Sequence, residues 1–315
     1  MILARALESK LGSLYKAGKI VGGVYIGRGQ EAVSASLGAC LRKGEDVFAP
    51  LIRDQAGRSA FGEEIISATR TYLGSVKGPM RGRDGNVHRG NPKEGIPAMI
   101  SHLGSAIPVV AGALFARRLK GTLGDSVGAT CLGDGGTSTG AFHEGLNLAA
   151  VEKLPFVLVV TNNQFAYSTP TSRQFACKSL VDKAIGYGVT GHEVDGTSLL
   201  HSMEVMHTAV EAARAGKGPQ LVVANILRLS GHGEHDDASY VPQSLRDSPL
   251  GQDCIEVAIK DLVSKSVVTP EEVEAWLTQT AEDVQSAVAQ AQQEPAPDPY
   301  QDDWRAFSTP EFPAG

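Results

Sequence analysis

Two stretches decide the fold: Cys131-Leu132-Gly133-Asp134-Gly135-Gly136-Thr137-Ser138-Thr139-Gly140, and Phe156-Val157-Leu158-Val159-Val160-Thr161-Asn162-Asn163-Gln164-Phe165. Each is an apolar run that ends in a turn of small or polar residues. A short apolar run bounded by turn signals reads as a buried strand. The first continues through glycines into a helical pattern over 142–151, so the order is strand, turn, helix, strand. Apolar strands alternating with helices specify a parallel sheet. The expected fold class is therefore α/β, a parallel sheet with helices on both faces. Ligands of such sheets bind beyond the carboxyl ends of the strands.

The turn residues indicate which ligand. Gly133, Gly135 and Gly136 let the backbone approach a phosphate, whose charge is favoured by N–H groups near a helix start. A dinucleotide fingerprint fits poorly, because Thr137-Ser138 stand where the last glycine of G-x-G-x-x-G belongs. Asp134 is out of place beside a bare phosphate and apt beside one that carries a cation. Asp134 and Asn163 offer hard oxygens suited to Mg²⁺, with a backbone carbonyl to complete the protein ligands. The stretch 136–161 between them has the length of one helix plus one strand.

Further strands are expected at 127–132, at 221–227 and, more weakly, at 192–195. Helices are expected at 1–20, 30–41, 107–119, 199–215, 251–265 and 271–293. The last has a strong start signal in Thr269 as N-cap, Pro270 at the first helical position and Glu272 three residues after the cap. Residues 44–100 are rich in Gly, Pro and charge and show little periodicity, which marks a functional or partner-bound segment. Residues 1–265 read as one phosphate-binding α/β domain, and 266–315 as a C-terminal helix with an extended Pro-rich tail.

At 315 residues the chain can bury a core without disulfides. A dispersed net charge of −6 argues against a nucleic-acid partner. No apolar run reaches the length of a membrane span, and the N-terminal segment lacks a secretory h-region, so a cytoplasmic location is expected. Cys40, Cys131, Cys177 and Cys254 are scattered, with no metal-ligand spacing.

With these residues in view, the chain resembles the α subunits of thiamine-diphosphate-dependent 2-oxo acid dehydrogenases, the E1 components of pyruvate and branched-chain dehydrogenase complexes. The Gly133-Asp134-Gly135 and Asn162-Asn163 pair resembles the thiamine-diphosphate motif. Gly29-Gln30-Glu31-Ala32, Arg53-Asp54, Tyr167-Ser168-Thr169-Pro170, Gly186-Tyr187-Gly188 and the run from Arg228 to Asp237 match other family segments. The resemblance implies thiamine diphosphate and Mg²⁺ as cofactors. It assigns Asp134, Asn163 and the Phe165 carbonyl to the metal, and Gly135 and Gly136 to the backbone cradle. It also gives Arg53 to the diphosphate, Ser101 and Leu103 to the flanks of the thiazolium, and His232 to the diphosphate and the reacting centre. His88 aligns with a second active-site histidine, so His232 and His88 are the expected catalytic groups, while His102 and His235 read as ordinary histidines.

The implied reaction is oxidative decarboxylation of a 2-oxo acid with acyl transfer to a lipoyl group on an E2 partner. The glutamate that activates the cofactor is expected on a separate E1 β subunit, in an α2β2 heterotetramer. An acetoin dehydrogenase α subunit, half of a split transketolase, or a non-catalytic α/β nucleotide-binding or scaffolding protein with a decayed site are alternative readings. Several positions depart from the family pattern: Ile52 before the arginine, Thr161 before the asparagines, Phe165 in place of a usual Tyr, and Val223 in the last strand. Gly233 occupies a position that carries a regulatory phosphoserine in mitochondrial relatives.

Overall fold

The computed structural model describes residues 1–84 and 87–301. The end of the expected C-terminal tail, 302–315, lies outside the described residues. Among the described residues, five strands form one parallel sheet: β1 (Val47–Ala49), β2 (Gly128–Gly133), β3 (Phe156–Asn162), β6 (Thr190–Asp195) and β7 (Gln220–Asn225), in the order β1-β2-β3-β7-β6. Between them in the chain, β4 (Phe165–Ala166) and β5 (Thr169–Pro170) make a small antiparallel hairpin directly after β3. Sequence patterning does not anticipate this hairpin, because two-residue strands carry no periodicity.

The central strands alternate sides, as a pleated strand must. Val157 and Val159 of β3 pack in one layer with Val33, Leu37 and Met206. Leu158 and Val160 pack in the opposite layer with Ile107, Val110, Leu114 and Leu146. Helices α2 (Glu31–Cys40) and α8 (Leu199–Arg214) therefore cover one face, and α5 (Ala106–Leu119) and α6 (Gly140–Val151) cover the other. The continuous apolar character of β3 follows from burial on both faces.

A third apolar cluster joins α1 (Ile2–Lys16), α4 (Ile65–Tyr72) and α11 (Pro270–Gln292) through Leu7, Leu11, Tyr72, Val284 and Val288. The start of α11 is the expected capping box, with Thr269 Oγ1 accepting from the Glu272 amide at 3.2 Å and Glu272 Oε2 accepting from the Thr269 amide at 2.8 Å. Helix α10 (Cys254–Ser264) starts later than expected, behind Asp253, whose carboxylate accepts from the Ile255 amide. Among the described residues no helix is long and apolar enough to cross a membrane.

The largest departure from sequence expectation is 44–100. It holds β1, α3 (Gln55–Phe61) and α4, none longer than 8 residues, and so too brief to show a period. Its charges are also misleading, because Arg58 and Arg89 are buried rather than solvated.

Glu8 on α1 is another buried charge, 5% exposed, with one carboxylate oxygen accepting from the Gly27 amide at 3.0 Å. Burial, reinforced by the nearby Glu31 carboxylate, pushes its pKa well above the ordinary value. A carboxyl raised in the folded state contributes stability that is lost as pH rises through the folded value. Glu8→Gln, which keeps an acceptor oxygen, is therefore expected to melt higher than wild type at pH 8, with the difference shrinking toward pH 5. Paired thermal melts at the two pH values check this.

Candidate active site

All five strands run the same way, so Gly133, Asn162, Asn225 and Asp195 end along one edge of the sheet. Gly133 lies level with Thr161, and Asn162 with Asn225. This register brings the two Gly- and Asn-rich turns side by side. Beyond them is a cleft of about 340 Å³ lined by Arg53, Leu103, Asp134, Gly135, Gly136, Asn163, Phe165 and His232, with Ile52, Thr161 and Arg228 among the other walls.

Those eight residues, expected from sequence to bind a cofactor, are thus gathered at one place from five separate segments of the chain. The other two expected residues, Ser101 and His88, do not line the cleft. They hydrogen-bond to each other through Ser101 Oγ and His88 Nε2, two residues before Leu103 enters the wall.

Asp134 begins a 3₁₀ turn, Asp134–Ser138, that leads into α6. It is 1% exposed and accepts one side-chain hydrogen bond, from Gln174 Nε2 at 3.1 Å. Burial raises its pKa. Thr139 caps α6 by accepting from the Phe142 amide. A Cβ on Gly135 would stand 2.4 Å from Ala166 Cβ, and one on Gly136 would stand 2.4 Å from Leu132 Cδ1. The turn therefore packs too tightly for side chains at either position.

Asn163 is also buried, and its Oδ1 has no hydrogen-bond partner. Gln164 follows with φ of 76°, and Tyr167 closes the hairpin with φ of 54°. Left-handed backbone in side-chain-bearing residues costs energy and is found where surrounding structure enforces it, often at functional sites. The Phe165 carbonyl accepts from Arg228 Nη1 at 3.0 Å, which leaves its second lone pair for another ligand.

Arg53 stands across the cleft on the loop after β1. Its Nε has no partner, and its Nη2 donates to the His232 carbonyl. Burial, with the charge of Arg228 adding to it, pushes its pKa down to about 10. The guanidinium also lies 5.9 Å from the Tyr25 ring centroid. A buried guanidinium without a carboxylate partner is costly unless a ligand anion compensates it.

His232 sits next to Arg53, with Nδ1 3.4 Å from Arg53 Nη2, and packs against the Tyr167 ring at 4.6 Å between centroids. Burial and the two neighbouring arginines push its pKa down to about 4, so the imidazole is neutral at pH 7. The loop that presents it is pinned by Asp236, whose Oδ2 accepts from the His232 amide at 2.5 Å and from the Tyr240 hydroxyl at 2.6 Å. Although burial opposes it, these hydrogen bonds hold Asp236 at about 2. Gly231 allows the turn, since a Cβ there would meet the Asp236 carbonyl oxygen at 2.0 Å.

Sequence reasoning missed several contributors. Arg228 is 4% exposed and spends its donors on the carbonyls of Phe165, Tyr167 and Ser230, so it shapes the hairpin at the mouth of the cleft. Gln174 orients Asp134, and Tyr25 flanks both Arg53 and His232. Arg228 opens the run already matched from sequence, whereas Gln174 and Tyr25 act from behind the cleft wall and stand in no recognisable spacing.

In chemical terms the base of the cleft offers a buried carboxylate, an amide oxygen without a partner, a guanidinium whose Nε lacks one, and a glycine cradle. That set fits a diphosphate carrying a divalent cation. Among the described residues no group of three His, Cys, Asp or Glu side chains could hold a metal, so a cation here would draw the rest of its shell from the ligand.

The sequence profile of the Dehydrogenase E1 component family matches residues 1–300. The chain is 31% identical over 296 residues to the alpha subunit of acetoin:2,6-dichlorophenolindophenol oxidoreductase of Cupriavidus necator, covering 94% of this chain and 88% of that one. It is 30% identical over 292 residues to the pyruvate dehydrogenase E1 component subunit alpha of Zymomonas mobilis, covering 92% and 80%. It is 33% identical over 257 residues to the 2-oxoisovalerate dehydrogenase subunit alpha of Bacillus subtilis, covering 79% and 77%.

Proposed function

Because the chain belongs to the dehydrogenase E1 component family, we propose that its cleft binds thiamine diphosphate with Mg²⁺ and that it acts as the α subunit of a 2-oxo acid dehydrogenase E1 assembly. The observation that carries this is the pair of buried, partnerless atoms facing one cleft, Asn163 Oδ1 and Arg53 Nε. One calls for a cation and the other for an anion, and a metal diphosphate satisfies both.

In this reading Asp134, Asn163 and the Phe165 carbonyl hold the metal. Arg53 holds the diphosphate, and the turn at Gly135 and Gly136 lets the backbone approach it. Leu103 and Ile52 supply apolar wall that would pack against the cofactor. When bound, thiamine diphosphate supplies a carbon nucleophile and an electron sink for cleaving the bond next to a carbonyl. His232, held neutral by burial and the two arginines and presented on a loop that Asp236 pins, gives or takes a proton beside the reacting atoms.

The chain carries the diphosphate half of the site. The glutamate that activates the cofactor, and the second half of the cavity, belong to a β subunit in an α2β2 assembly, and a lipoyl domain of E2 accepts the acyl group. Calorimetry of the chain with its β subunit is expected to give saturable thiamine diphosphate binding that requires Mg²⁺. No binding under those conditions sinks the proposal. The relatives' names span pyruvate, a branched 2-oxo acid and acetoin, and turnover assays with each select the substrate.

The electrostatics of His232 give a pH prediction. Its pKa of about 4 reflects burial and the positive charge of Arg53 and Arg228, which together outweigh the Asp236 carboxylate. A bound diphosphate neutralises that charge and favours the imidazolium. NMR titration is expected to show the His232 midpoint near 4 in the free chain and to move it upward when thiamine diphosphate and Mg²⁺ bind. His232→Ala is expected to lower kcat about a hundredfold with cofactor affinity changed far less. An unchanged kcat would remove His232 from the chemistry.

A further inference from the structure

The turn that carries Asp134, Gly135 and Gly136 has few side chains with which to hold itself. Glycine leaves the backbone free to take other conformations, and neighbouring atoms exclude a Cβ at both glycines. One later segment, 169–183, holds the turn from outside the cleft. At one end Gln174 Nε2 donates to Asp134 Oδ2 and to the Thr169 carbonyl, and Ser138 Oγ donates to the Gln174 carbonyl at 2.8 Å. At the other end Lys183 Nζ donates to the Thr137 carbonyl at 2.8 Å and to Thr137 Oγ1 at 3.0 Å. The Thr137 hydroxyl in turn donates to the Asp134 carbonyl at 2.7 Å. Thr137 is 1% exposed, so Lys183 meets it inside the protein.

Lys183 is not placed as a surface lysine. It opens α7 (Lys183–Tyr187), between Leu180 and Ala184, which are buried in one layer with Leu146 of α6. Its ammonium lies 5.2 Å from the Phe142 ring centroid and 6.0 Å from that of Phe175. Burial lowers its pKa, and no carboxylate is among the groups that oppose the shift. A partly buried cation without a counterion costs stability, and aromatic faces offset part of that cost. Lys183 does not line the cleft, so it reaches a ligand there only through the turn.

We propose that Lys183 is a positioning residue for the metal–diphosphate site: acting through Thr137, it fixes the 134–138 turn that presents the Asp134 carboxylate and the glycine backbone. This rests on the reading of the cleft in the preceding subsection. The ammonium also places a positive charge behind a turn that receives an anion. Cofactor affinity therefore depends on a residue that touches neither the cofactor nor the metal.

The first test needs no cofactor. The Thr139 amide donates to the Gly136 carbonyl at 3.2 Å and so reports on the turn. Lys183→Met keeps an unbranched stem against the two rings and removes the charge and its donors. In the free chain it is expected to speed hydrogen exchange at the Thr139 amide by on the order of 10-fold. Unchanged exchange overturns the positioning role.

The second test uses the assembled enzyme with its β subunit. By calorimetry in Mg²⁺, Lys183→Met is expected to weaken thiamine diphosphate binding by about 10- to 100-fold, the range for a lost charge-assisted hydrogen bond. At saturating cofactor its kcat is expected to fall by less than about threefold. Lys183→Arg, which keeps charge and donors, is expected to recover part of the affinity. Thr137→Val keeps the carbonyl and is expected to lose less, and adding it to Lys183→Met lowers affinity little further, because the two act as one unit. Wild-type affinity in Lys183→Met overturns the proposal, as does a loss that Lys183→Arg leaves unrecovered or a kcat loss larger than the affinity loss. If Lys183→Met does not fold, Thr137→Val carries both comparisons, and wild-type exchange and affinity in that variant overturn the proposal. Failure of the wild-type assembly to bind thiamine diphosphate overturns the cofactor assignment and the affinity arm with it, while the exchange arm still decides whether Lys183 holds the turn.

Discussion

Asp134→Ala is expected to lose thiamine diphosphate and Mg²⁺ binding by about a hundredfold or more, and turnover with it. Asp134 stands in the wall of the cleft at the glycine turn, it is 1% exposed, and a single glutamine is its side-chain partner. A hydrogen-bonded charge interaction in such a place is worth roughly 3 kcal/mol, which is about two powers of ten in affinity. The free chain is expected to behave in the opposite sense. Burial raises the pKa of Asp134, so its ionised form opposes folding as pH rises through the folded value. Asp134→Asn should therefore bind cofactor poorly yet melt at or above wild type at pH 8. Calorimetry and thermal melts of the same preparation read both arms. Unimpaired binding would remove Asp134 from the metal, and a lower melting temperature would mean that its charge is compensated within the chain. The combination expected is that of a site whose strain is relieved by its ligand.

Glu63→Ala is expected to cost about 3–5 kcal/mol of stability, the range found when one partner is removed from a buried ion pair. Glu63 accepts from Arg58 Nη1 at 3.1 Å, from Arg89 Nε at 3.0 Å and from Arg89 Nη2 at 2.8 Å, and both arginines are buried. Without it, two guanidiniums face each other out of water, and Arg89 keeps Gln55 as its remaining side-chain acceptor. A fall in melting temperature on the order of 10 °C follows, and a melt within about 2 °C of wild type would contradict it.

The pH dependence at Glu63 has a definite sign. Burial works to raise its pKa, and the charges and hydrogen bonds of Arg89 and Arg58 outweigh that and leave it lowered. The stability it confers is complete above the ordinary carboxylate value and is lost as pH falls through the lower folded value. The deficit of Glu63→Ala should therefore narrow in acid.

Much of the central architecture could be read from the chain alone. The strands at 128–133 and 156–162 stand out because a strand buried on both faces must be apolar at every position. The helices between them are long enough to show a period. Even the start of α11 was legible, since a capping box is a local arrangement of four residues. Asp134, Asn163 and the glycines were legible for a related reason: a motif at strand ends keeps its spacing when the strands are adjacent in sequence and in space.

The region 44–100 was not legible. Arg58, Glu63 and Arg89 look like surface charges in sequence, and only their mutual compensation lets them go inside. Arg53, Leu103 and His232 could be suggested by resemblance, but nothing local to them indicates that they share one cleft with Asp134. Gln174 and Tyr25 were not expected at the site, because each meets Asp134, Arg53 or His232 only across the fold.

What the sequence determined by itself was the alternation of buried strands and helices and the chemistry of the two turns, because periodicity, capping and strand-end spacing are local properties. What only the tertiary structure decided was which charges are buried and which atoms of Asn163 and Arg53 lack partners. Those depend on desolvation and on contacts between residues far apart in the chain, and neither can be evaluated until the chain has folded.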